Sequence, residues 1–142
     1  MNTTEILTSL TAAKEAHLPW LDYGMAILNG EDLLYVQAPV TCTDCNFGLW
    51  FYTEANSLRQ IDGFQQIEKL HAEFHNKYDI LFTHAHEAHK PRLFGKKKLL
   101  LQLNADYMAL EESSILLINK LKEVGKSLQA KEKLSQINRE AV

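Results

Sequence analysis

Apolar residues recur along this chain by threes and fours, the spacing that lines one face of an α-helix. Ile6, Leu10, Ala13, His17, Trp20, Gly24 and Ile27 form the first such series. They predict a helix from about Thr4 to Leu28, stopped by Asn29-Gly30. The stretch EDLLYVQAPVT, residues 31–41, has no clear period and is expected to be a connector that packs Leu33, Leu34 and Val36 against the rest. A second helix is expected to start at Thr43 or Asp44, either of which can cap, and to continue through CNFGLWFYTEAN. After a break at SLRQIDG, the series Phe64, Ile67, His71, Phe74, Tyr78 and Leu81 or Phe82 predicts a third helix from about Asp62. Pro91 and Gly95 bracket the next turn. The fourth helix has the cleanest stripe: Leu100, Leu103, Tyr107, Leu110, Ser114, Leu117, Leu121 and Val124. Beyond Gly125 the sequence KSLQAKEKLSQINREAV is polar and charged. The pattern predicts an all-α protein: an antiparallel four-helix bundle over residues 1–125, followed by a polar helical or frayed tail over 126–142.

Composition narrows the function. At 142 residues the chain makes one domain, long enough to bury a core. Its formal net charge is only −3, with both signs interspersed, so no nucleic-acid partner is expected. The run Lys96–Lys98 reads as a solvated face. No apolar run approaches the roughly 18–20 residues of a membrane span, so no membrane partner is expected. The opening MNTTEILTSLTAAKEAH lacks the charged and apolar regions of a secretory leader. The expected compartment is therefore the cytoplasm, where thiols stay reduced. There, Cys42 and Cys45 of CTDC read as ligand or redox thiols rather than as a structural disulfide.

The chemistry lies in the stripes themselves. His17 and His71 are in phase with the inward faces of helices one and three, His75 lies one turn beyond His71, and Cys45 opens helix two. Side chains from different helices of a bundle converge only in its interior. A lone histidine on an apolar stripe is ordinarily a satisfied core residue, and an HxxxH pair alone is weakly specific. Three histidines and a cysteine brought together are different, because each would need a partner away from water at about 1–3 kcal/mol apiece. A zinc ion meets all four needs in one tetrahedral shell.

Three blocks carry a resemblance to a known family. HLPW at His17–Trp20, CNFGLWFY at Cys45–Tyr52 and HAEFH at His71–His75 resemble, in order and separation, the signature of the chemoreceptor zinc-binding domain over roughly residues 4–125. The family pattern after the cysteine is usually C-x-L-G-K-W, and this chain has Phe47 and Leu49 at the leucine and lysine positions. The resemblance implies a four-helix bundle, often dimeric, with zinc held by His17, Cys45, His71 and His75. It also implies regulation by zinc occupancy or cysteine oxidation, in chemoreceptor or diguanylate cyclase signalling.

Other features have competing readings. Cys42 with Cys45 suggests dithiol catalysis, but a thioredoxin-type motif belongs in a βαβ setting that the pattern lacks. Cys42 can also resolve an oxidised Cys45 into a disulfide, removing one ligand. His84, His86 and His89 are expected to be exposed at the end of helix three rather than to form an accessory metal site. A hemerythrin-like di-iron site would need a second Glu-x-x-His pair beside Glu68 and His71, and none exists. Trp20 and Trp50 are candidates for the dry shell around the metal. The expected protein is a zinc-binding sensor or regulatory module, a homodimer without catalysis of its own. The alternatives are an open-site metalloprotein or metalloenzyme, and a purely structural zinc protein.

Overall fold

A computed structural model describes residues 2–54 and 58–141. Among them are α1 (Thr3–Leu28), a 3-10 turn (Leu33–Tyr35), α2 (Asn46–Thr53), α3 (Phe64–Ala88) and α4 (Lys96–Glu140). The expected all-α bundle is what forms, with no strand among the described residues. A reciprocal capping box starts α1: the Glu5 N–H donates to Asn2 Oδ1 and the Asn2 N–H donates to Glu5 Oε2, both at 2.9 Å. Pro19 lies inside α1 on its exposed side, where a missing N–H costs least. Gly63 and Gly95 precede α3 and α4 with φ of 93° and 83°, the left-handed turn that sets each entry angle.

Cross-helix contacts fix the directions. Thr3 donates its hydroxyl to Glu132, and Gly24 lies against Leu110 and Tyr107, so α1 runs antiparallel to α4. Gly63 lies against Val124 and His84 pairs with Asp106, so α3 is also antiparallel to α4. It follows that α1 and α3 are parallel, with Ser114–Leu117 of α4 roughly level with His17 and His71. The seam along α4 is mostly apolar, with Leu103, Leu110, Leu117, Leu121 and Val124 buried beside Asp106, Ser113 and Ser114.

Three expectations need correction. The second helix is shorter than predicted: Cys45, not Thr43 or Asp44, is the N-cap, its sulfur accepting the Gly48 N–H at 3.2 Å. Thr41–Asp44 is instead a turn, closed by the Asp44 N–H to the Thr41 carbonyl. The other end of that prediction, Ala55 and Asn56, lies outside the described residues. In the connector Val36 is buried as expected, but Leu34 is 87% exposed, because the 3-10 turn rotates it outward. On α4, Leu100 is exposed while Asp106 is buried against the His84 imidazole.

Candidate metal centre

The bundle draws His17 from α1, Cys45 from the cap of α2, and His71 and His75 from α3 to one point. One ligand atom from each lies within 4.8 Å of all the others. His71 is the hub: its Nε2 is 3.1 Å from Nε2 of His17, 3.1 Å from Nε2 of His75 and 3.3 Å from Sγ of Cys45. The three histidines are buried and Cys45 is half-buried.

Backbone carbonyls decide which nitrogens carry protons. Nδ1 of His17 donates to the Ala13 carbonyl at 2.7 Å, and Nδ1 of His75 donates to the Val40 carbonyl at 2.9 Å. A carbonyl only accepts, so each of these rings has its proton on Nδ1 and a bare lone pair on Nε2. Both lone pairs face His71 Nε2, which as a donor can satisfy at most one of them well. Protonation does not relieve the crowding. Burial and the adjoining His17 and His75 imidazoles hold the His71 pKa down to about 2, burial and His17 hold His75 to about 4, and burial lowers His17. Burial pushes the Cys45 thiol up, opposed by the N–H groups at the start of α2.

A cation resolves this arrangement, accepting three lone pairs and taking the place of the thiol proton. In a tetrahedral zinc shell with nitrogen ligands at ~2.0–2.1 Å, nitrogen–nitrogen edges are ~3.3 Å. The observed edges at His71 are close to that. The residues therefore fit a metal ion.

Aromatic rings and a backbone strap enclose the cluster. Phe47 meets His17 and His71 edge-on, and Phe74 meets His17 and His75. Trp20 is edge-on to His75 at 5.2 Å, whereas Trp50 is one layer further out, against Phe47. The strap of residues 37–40 is pinned to α3 twice, by the His75–Val40 bond and by the Tyr78 hydroxyl donating to the Gln37 carbonyl. Gly48 is required for space, since a Cβ there would lie 1.7 Å from the Cys42 carbonyl oxygen.

Cys42 is half-buried and does not join the four-residue group. It interacts with the hydroxyl of Tyr52, whose pKa burial, Cys42 and Glu68 push up to about 12. His84 pairs with Asp106 at 2.6 Å rather than with His86 or His89, and those three form no metal group among the described residues. Ala13, Val40, Phe47 and Phe74 were not foreseen as partners of the cluster. Only Ala13 had a signal in the sequence, its position four residues before His17.

Residues 17–80 match the sequence profile described as the chemoreceptor zinc-binding domain, a span that contains all four cluster residues. Over that span the chain is similar to a CZB domain. No curated protein and no solved structure gives a match. CZB domains are zinc-binding signalling domains, and within the matched span this chain places a histidine and cysteine cluster able to hold a metal. Among the described residues no helix is long and apolar enough to cross a membrane.

Proposed function

We propose that this chain is a zinc-binding sensor or regulatory module in which His17, Cys45, His71 and His75 are the ligands. The observation that carries the reading is the pair of Nε2 lone pairs, fixed by the Ala13 and Val40 carbonyls and aimed at His71 beside a thiol. Three nitrogens and one sulfur suit zinc better than magnesium or calcium. A shell of four protein ligands leaves no open position for substrate water, which supports a role without catalysis. The group contains no carboxylate, which favours this reading over a hemerythrin-like site.

Ligation ties α1, the start of α2 and α3 at one level. Because His75 also holds the strap through Val40, the state of the site is coupled to the strap and to Cys42 beyond it. A cleft of about 310 Å³ is lined by Pro39, Val40, Thr41, Cys42 and His75, giving a small oxidant a path to this region. Peroxide would convert the Cys45 thiolate to a sulfenic acid. Attack by the Cys42 thiol would then form the Cys42–Cys45 disulfide and expel water, so that two thiols are oxidised as one peroxide is reduced to two waters. One metal ligand is lost in the process. We assign the module to the cytoplasm, as a homodimer acting on a signalling partner of the chemoreceptor or diguanylate cyclase type.

The test is metal content by mass spectrometry on protein purified without added metal, beside Cys45→Ala. Near-equimolar zinc that falls sharply in the variant is the expected result. Iron, or no metal in either protein, would overturn the reading. Zinc that resists both chelator and peroxide under native conditions would favour a purely structural site.

A further inference from the structure

The turn between α3 and α4 carries Leu93 and Phe94, which are 93% and 86% exposed. A large apolar pair held in water gains no packing and risks aggregation, so its retention points to a contact outside the chain. Its surroundings are strongly basic. Every residue from His89 to Lys98 is exposed, and the stretch holds Lys90, Arg92 and Lys96–Lys98; Glu87, just before it, pairs with Lys90 at 2.8 Å and leaves the basic residues in excess, in a chain of net charge −3. Lys96–Lys98 enter no ion pair among the described residues. Nor do these lysines serve the fold. They open α4 at the positive end of its dipole, in a first turn without an acidic residue and behind a Gly95 that offers no side-chain cap.

We propose that this turn is a docking tip for an anionic lipid bilayer. Leu93 and Phe94 enter the boundary between headgroups and acyl chains while the basic collar meets lipid phosphates. The shape favours a lipid surface over an acidic protein. The two side chains stand on a projection rather than in a groove, and the space around Gly95 is open, with no atom within 4 Å of where its Cβ would be. Two apolar side chains and a few charges give reversible, salt-sensitive binding, not an anchor. For this one turn, a peripheral lipid contact replaces the expectation of no membrane partner. The tip lies outside the cluster of His17, Cys45, His71 and His75, so lipid binding and metal content can be read separately.

The experiment is flotation of the purified chain with phosphatidylcholine vesicles and with vesicles containing phosphatidylglycerol, at low and high salt. The expected result is binding to the anionic vesicles alone, weakened by salt. Leu93→Ser with Phe94→Ser should reduce it by at least about tenfold, and Lys97→Gln or Lys98→Gln by about fivefold each. Helicity and bound metal should not change in any of these variants. No flotation with anionic vesicles at low salt would overturn the proposal, as would flotation that the Leu93/Phe94 variant leaves intact. The same variant abolishing self-association, with no lipid binding in the parent, would assign the tip to a second copy of the chain instead.

Discussion

Two levels of the same interior are built on opposite terms. Along α4, Leu110, Leu117 and Leu121 close a seam that asks nothing of the solution: apolar surface leaves water and stays out. Across the bundle, His17, His71, His75 and Cys45 bring together lone pairs that repel one another unless a cation stands between them. The first region draws on nothing but burial, whereas the second is one that a bound cation would stabilise.

Chelation is the strongest way to separate the two. Free zinc at a thousandfold its Kd contributes about 4 kcal/mol of stability. At about 3 °C per kcal/mol for a chain of this size, its removal should lower Tm by about 12 °C. Melts followed by circular dichroism before and after chelation measure this. An unchanged Tm after the metal has demonstrably left would mean that the cluster is satisfied without it.

The seam should respond differently. Leu117→Ala removes a side chain that is 1% exposed and should cost about 3 kcal/mol. Urea unfolding should return the same penalty with metal and without, since Leu117 belongs to the region that draws on burial. A penalty that disappears on chelation would show the two levels to be one cooperative unit.

Acid should find the cluster and spare the seam. In the unfolded chain a histidine titrates near 6.5, whereas folded His75 is held to about 4 and His71 to about 2. Between pH 6.5 and 4 the unfolded state therefore binds protons that the folded state refuses. The contribution is fully present above 6.5 and is lost as pH falls through that window. For metal-free protein the urea midpoint should decline from pH 7 to pH 5, with Leu117→Ala tracing a parallel curve. A flat profile would mean that the imidazoles are not buried as neutral rings.

The smallest effect concerns Ser114, 1% exposed and with no partner for its hydroxyl among the described residues. Ser114→Ala should be neutral or stabilising by up to about 1 kcal/mol, since it removes an unmet polar group. A clear loss of stability in thermal melts would reveal a partner for that oxygen.

Much of this was legible because it repeats. The stripes of α1 and α3 are buried nearly as written, His17, His71 and His75 included, since a helix fixes which residues share a face. Cys45 was legible as a member of the cluster but not as the N-cap, because propensity favours Thr43 or Asp44 as a cap over Cys. The burial of Asp106 was not legible at all: its reason is His84, 22 positions away on another helix. Val40 was hidden for the same reason, as its part lies in a backbone carbonyl and any residue would supply one. Periodicity reports what one helix does with itself; pairings between elements have to be seen.

The length of α4 has a mechanical consequence. From Ser114, level with the cluster, the helix continues to Glu140, roughly 39 Å further at 1.5 Å per residue. It supplies none of the four cluster residues, yet it packs on both long helices that supply them. A tilt of about 5° at the cluster would therefore swing its far end by about 3 Å over that span. That would be lever-arm gain: were a loss of coordination to tilt the helix without repacking the seam, it would become a displacement about as large as an atomic contact on a polar helix surface far from the site.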